Sequence, residues 1–183
     1  PYPRKDGRKG KKVPKVYTAY TETLGCLIDD VRKDLDAPKM PFVTGVLGVG
    51  GVDAGENTAG FRKAMAAPAL MPRFKGNVAN VFTENYWPNE VVAVLQKRAP
   101  FKGEENARLK TIDPELSKEE RSKQARQIVA EVRVNIEQAL SEDELFILDY
   151  GFSNRDYHYY GSAKFFAQIG DAFAQALLKM RDQ

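Results

Sequence analysis

Apolar residues at Tyr17, Tyr20, Leu24, Leu27, Ile28, Val31 and Leu35 recur at spacings of three and four, the period of one helix face. That helix is expected to end near residues 36–38, because the residue before a proline avoids helical angles. The period then breaks. The run "PFVTGVLGVGG", rich in Val and bounded by Pro and Gly, reads as a buried strand leading into a glycine loop. A short helix over residues 57–67, a second strand over 77–83 and another short helix over 90–97 follow. "DPELSKEE" opens a long charged helix, with Asp113 placed to cap, Pro114 at the first helical position and acids in the first turn. Its apolar positions Ile128, Val132, Ile136 and Leu140 form a narrow stripe on a mostly solvated helix. Phe165, Ile169, Phe173, Leu177 and Met180 mark a C-terminal helix packed along one side.

The order helix, strand, helix, strand, helices predicts an α/β fold with a parallel sheet. Two convincing strands are few for 183 residues. The chain is therefore expected to be part of a larger fold, or to hold strands that the pattern does not reveal. No window approaches the roughly 18 apolar residues that suggest a membrane span.

Charge changes the picture only at one end. Residues 1–16 are read as a basic loop or arm, with Arg4, Lys5, Arg8, Lys9, Lys11, Lys12 and Lys15 against the single acid Asp6. The rest carries 21 basic and 24 acidic residues, so no basic nucleic-acid face spreads over the fold. The arm itself could attract an anionic polymer, but its cations are not interleaved with aromatics, and a solvated loop is the stronger reading. One cysteine, Cys26, cannot close an internal disulfide, and its place in a helical pattern favours an inert, small apolar role. The chain begins Pro-Tyr-Pro, so the lack of a signal peptide says nothing about export.

Few residues offer chemistry. Gly45, Gly48, Gly50 and Gly51 do not make a dinucleotide fingerprint, because Asp53 stands where its third glycine belongs, and no Walker loop follows. A tight turn is favoured over a ligand loop. The acidic pairs Asp29–Asp30, Glu104–Glu105 and Glu119–Glu120 read as solvated charge rather than a metal site. His158, the only histidine, lies in a loop of turn residues (Gly151, Ser153, Asn154, Asp156) just before the last helix. Histidine titrates near neutral pH and suits proton transfer with a serine hydroxyl. It would need a nucleophile in reach and an orienting group. A packed or surface histidine is equally compatible with the sequence.

The stretch "SNRDYHYYGSAKFFAQIGDAFAQAL" resembles the C-terminal signature of SGNH (GDSL-like) hydrolases of the sialate O-acetylesterase, or carbohydrate acetylesterase, group. "LIDDVRKDLDAPKMPFVTGVLGVGG", "FRKAMAAPALMPRFKGNVANVFTENYW" and "SKEE" extend the resemblance over most of residues 17–183. It implies a flavodoxin-like, three-layer α/β/α sheet and hydrolysis of acetyl esters on sugars by a Ser nucleophile and a His base, His158 here. No cofactor is expected, and no metal either, since one His and one Cys leave only carboxylates as further ligands; the resemblance slightly favours export to the periplasm or beyond. The oxyanion hole would come from a Ser backbone amide, a Gly and an Asn. None of the blocks supplying these residues or the nucleophile occurs in the chain. Residues 17–183 are therefore expected to be the C-terminal part of the domain, with the N-terminal part as partner and the Ser upstream. Arg155 stands where the group's pattern has Asp, so either Asp156 orients His158 or a backbone carbonyl does, in a Ser–His dyad. Tyr86 and Trp87 are candidates to line a sugar site, with core burial as the competing role. The alternative to an esterase is a non-catalytic carbohydrate- or protein-binding α/β domain, without nucleic-acid or membrane partners.

Overall fold

The computed structural model describes residues 17–182. The basic arm expected over residues 1–16 lies outside the described residues. The elements run α1 (Thr18–Asp34), β1 (Phe42–Val46), α2 (Glu56–Ala66), β2 (Val78–Phe82), α3 (Asn89–Leu109), α4 (Lys118–Ala139), α5 (Glu142–Tyr150) and α6 (Ala163–Arg181). Both expected strands form, and they pair in parallel with Phe42 beside Val78, Thr44 beside Asn80 and Val46 beside Phe82. The chain is an α/β protein, rich in helix. Among the described residues no helix is long and apolar enough to cross a membrane.

Two compact units share these elements. Among the described residues, the first holds 17–47, Val52–Thr83 and 172–182. Ile28, Phe74 and Val78 form its buried cluster, with Phe42, Ala69 and Met71 packed against them. Phe173 of α6 presses on the strand at Gly45, where a Cβ would sit 2.9 Å from its ring. The face that α1 buries differs from the expected stripe. Gly25, Ile28 and Arg32 are buried, whereas Leu27 and Leu35 stand exposed. Arg32 explains the rotation, because its guanidinium donates to Met40 O at 2.7 Å and to Asn77 O and Oδ1 at 3.0 Å. A buried cation is tolerated when carbonyl oxygens hold it in this way, here through Nε and Nη2. Cys26 is exposed on the opposite side, not packed as the helix pattern implied.

The second unit holds Gly48–Gly51 and Glu84–Asp171. Its core joins Val94 of α3 to Val132, Ile136 and Leu140 of α4, the stripe read from the sequence, with Phe101, Leu145, Ile147 and Leu148 packed around them. The short helix expected over residues 90–97 instead continues to Leu109, through Pro100. An interior proline costs about 3 kcal/mol. Packing of Val94 and Phe101 against α4 outweighs it. Glu105, read as solvated, is buried and paired to Lys102.

The charged helix starts four residues later than expected. Asp113 closes a local turn by accepting the Glu115 N–H at 2.9 Å, and Ser117 caps instead, exchanging hydrogen bonds with Glu120. The same reciprocal cap, Ser141 with Glu144, starts α5, a helix the apolar pattern did not announce.

Five carboxylates of this unit sit below their ordinary range; at Glu90 burial acts to raise the value, and the Lys164 hydrogen bond and charge with a backbone hydrogen bond outweigh it. Glu120 is held there by the Ser117 side chain and backbone, and Glu144 by Lys97 and then the Ser141 backbone. Hydrogen bonds from Arg108 and then Gln127 act on Glu131, and one from Arg133 on Asp149. A depressed folded pKa gives stability that is present above the unfolded value and lost as pH falls through the folded one. The urea midpoint is therefore expected to hold from pH 7 to about 5 and to drop below about 4, where these carboxylates protonate. Since the groups lie at the surface, most of them exposed, 1 M salt should blunt the drop. A midpoint that stays flat down to about pH 3 would mean these pairs add nothing.

Candidate functional site

The segment between α5 and α6 carries His158, and its main chain is unusual. Tyr159, Tyr160 and Gly161 follow one another with φ of +51°, +58° and +61°. Left-handed backbone at a non-glycine residue costs of order 1–3 kcal/mol and persists only where the surroundings over-determine it. Here they do. Ser153 and Asn154 both donate their N–H to Tyr160 O, at 2.8 and 2.9 Å. His158 and Tyr160 both donate to Arg155 O at 3.0 Å, and Ser162 N–H reaches Tyr159 O at 3.2 Å. Ser153 Oγ closes on Gly161 O at 3.2 Å. Gly161 must be glycine, because a Cβ there would lie 2.3 Å from Ser153 Oγ.

This turn points Tyr159 and Tyr160 inward and leaves His158 outside. The Tyr159 ring stacks on Phe165 at 4.2 Å and 13°, and meets Trp87 edge-on at 5.9 Å. Its hydroxyl accepts the Gly48 N–H at 3.0 Å. Tyr160 packs against Trp87 at 5.4 Å. Burial, and then the Asp156 carboxylate, push the Tyr160 hydroxyl above its ordinary pKa. Trp87 in turn covers the glycine loop. Gly51 N–H closes that loop on Gly48 O at 2.9 Å, and a Cβ on Gly51 would sit 3.0 Å from Trp87 Cδ1. The glycines thus do what a tight turn with a close approach requires.

The His158 side chain is exposed, 4.5 Å from the Tyr157 ring, and makes no hydrogen bond to another described residue. Asp156 does not bond to it in this structure. Its Oδ1 accepts the Tyr157 N–H at 2.9 Å, and it forms neither ion pair nor hydrogen bond with the imidazole. The serines lie elsewhere in purpose: Ser117 and Ser141 cap helices, Ser153 and Ser162 brace the loop. Among the described residues no cluster of His, Cys, Asp and Glu could hold a metal ion.

Of the two aromatic candidates, Trp87 is 9% exposed and committed to Tyr159, Tyr160 and Gly51. Tyr86 is half-buried and lines a cavity of about 190 Å3 with Asn85, Gln168 and the Glu90–Lys164 ion pair. Sequence reasoning missed Tyr159 and Phe165 as partners. The available signal was Tyr-Tyr-Gly directly after the histidine, a glycine placed where the chain turns left-handed. No family model, curated protein or solved structure matches the chain, so the site rests on its own residues.

Proposed function

We propose that this chain is the histidine-bearing C-terminal part of a carbohydrate O-acetylesterase of the SGNH type, with a flavodoxin-like, three-layer α/β/α sheet. The observation that carries the reading is His158 itself, a solvent-facing imidazole on a strained main chain that is fastened to the Gly48–Gly51 loop. Gly48 follows the end of β1 by two residues, and parallel α/β sheets bind ligands beyond the carboxyl ends of their strands. Pre-organisation of this kind is what a catalytic base needs and a surface histidine does not.

In this reading His158 takes the proton of an upstream Ser as its Oγ attacks the acetyl carbonyl. It then returns that proton to the departing sugar oxygen. Water, deprotonated by the same imidazole, releases acetate from the acyl-enzyme. Without contact from Asp156, the base acts in a Ser–His dyad. Tyr86 and the polar cavity beside it are the sugar-lining candidates, with Trp87 as their support. The N-terminal part would also complete the sheet. Among the described residues β1 pairs with β2 alone, and Phe42 N–H donates to Asn77 O. The main-chain groups of Val43 and Gly45, alternating away from β2, therefore face no second strand, and a parallel sheet is ordinarily covered and continued.

A polypeptide joining this chain to the sequence that precedes it is expected to hydrolyse p-nitrophenyl acetate and O-acetylated sugars. A fluorophosphonate should label its upstream serine. Absence of both, with sugar binding retained, would instead establish the second reading, a non-catalytic binding domain.

A further inference from the structure

We infer that Tyr159 is the positioning residue of this site, acting on His158 through its hydroxyl; the inference rests on the esterase reading only for its consequence in catalysis. Tyr159 and His158 are adjacent, but their side chains do opposite things. One is inserted between Phe165 and Trp87 and bonded to Gly48; the other is exposed. The ring stack on Phe165 fixes where Tyr159 lies but leaves the loop free to slide along an apolar surface, because dispersion contacts are weakly directional. The Gly48–Tyr159 hydrogen bond is directional and joins residues 111 positions apart in the chain. It is a contact that fixes the register of the histidine loop against the glycine loop.

The bond adds to the contacts that let two consecutive tyrosines tolerate φ of +51° and +58°. The paired amides of Ser153 and Asn154 hold Tyr160 O, and those of His158 and Tyr160 hold Arg155 O. These bonds close the turn on itself. The Tyr159 ring and hydroxyl carry the turn's geometry outward to Trp87, Phe165 and Gly48, with Tyr160 adding a second contact to Trp87, so the direction in which His158 projects depends on them.

Tyr159→Phe separates hydroxyl from ring and keeps the stack, so it should fold. Amide 15N relaxation on the 183-residue chain reads the loop directly, and the single histidine and tryptophan give unambiguous signals at His158 and Trp87. Order parameters at His158–Gly161 and Gly48–Gly51 are expected to fall from about 0.85 toward 0.6. Tyr160→Phe is the control, since the Tyr160 hydroxyl makes no hydrogen bond to another described residue. It should leave those order parameters unchanged. In the extended polypeptide, Tyr159→Phe should lower kcat for acetyl esters about tenfold with KM unchanged, because misplacement of a base costs rate and not binding. Unchanged order in Tyr159→Phe, or an equal loss in Tyr160→Phe, overturns the positioning role whatever the esterase assay gives. Loss of order without any esterase activity in the wild-type polypeptide leaves Tyr159 as the loop's clamp and defeats the catalytic reading alone.

Discussion

His158→Ala, in a polypeptide that carries the upstream serine, is expected to lower kcat for acetyl-ester hydrolysis by roughly 10^4-fold or more, the loss seen when a Ser–His pair is broken. The same substitution should leave the fold alone. His158 is exposed, its own φ of −105° suits alanine although the next two residues are left-handed, and its side chain makes no hydrogen bond to another described residue, so the change in stability should be small. Although its amide donates to Arg155 O, that bond belongs to the main chain and survives in alanine. Trp87, the only tryptophan, touches Tyr159 and Tyr160 and not His158, so its emission should match the parent. Asp156→Asn gives the contrast. Since Asp156 does not reach the imidazole, its amide variant should lose less than about tenfold, against the much larger loss that a triad orienting acid gives. Turnover near wild type in His158→Ala would remove the residue from the mechanism. A loss in Asp156→Asn as deep as in His158→Ala would mean that the loop rearranges to form a triad when substrate binds.

What the sequence makes legible follows from the range of the forces involved. β1, β2 and α2 are visible because an apolar run between turn residues is a local signal. The stripe Val132, Ile136, Leu140 is visible because it repeats on one helix. α5 escapes because Leu145, Phe146, Ile147 and Leu148 are consecutive and show no period, although Ser141-x-x-Glu144 announced its start. The far half of α3 escapes because Pro100 argues against a helix that only packing on α4 sustains. On α1 the apolar residues Leu27 and Leu35 compete with Arg32 for the buried face. Arg32 prevails through carbonyls at residues 40 and 77 that no local pattern encodes.

The candidate site divides along the same line. His158 is legible by type and by its place before the last helix. Its support is not, since Gly48 lies 111 residues before Tyr159, and left-handed tyrosines are an exception to the preference that makes such turns readable from glycine. The distance between Asp156 and the imidazole has a local reason. A carboxylate two residues before the histidine finds the intervening Tyr157 amide first.

Phe165→Ala is the substitution expected to cost most in stability. Phe165 is 1% exposed, lies flat on Tyr159 at 4.2 Å and meets Phe166 edge-on at 5.2 Å. Truncating a buried phenylalanine costs about 3–5 kcal/mol, a large share of the 5–15 kcal/mol that holds an ordinary domain together. The aromatic pairing contributes about 0.5–1.5 kcal/mol of that. The site makes the consequence more than a cavity. With the stack gone, nothing flat opposes the Tyr159 ring, and two strained tyrosines gain a route to ordinary backbone angles. Trp87 should report this as a red-shifted emission at temperatures below the main unfolding step, because Tyr159 and Tyr160 shield its ring. Phe166→Ala, one residue on and 51% exposed, should cost about 1 kcal/mol or less and leave Trp87 emission in place. Thermal unfolding followed by circular dichroism and by tryptophan emission separates the two variants. Equal destabilisation by both would show that the buried stack is not what holds the histidine loop.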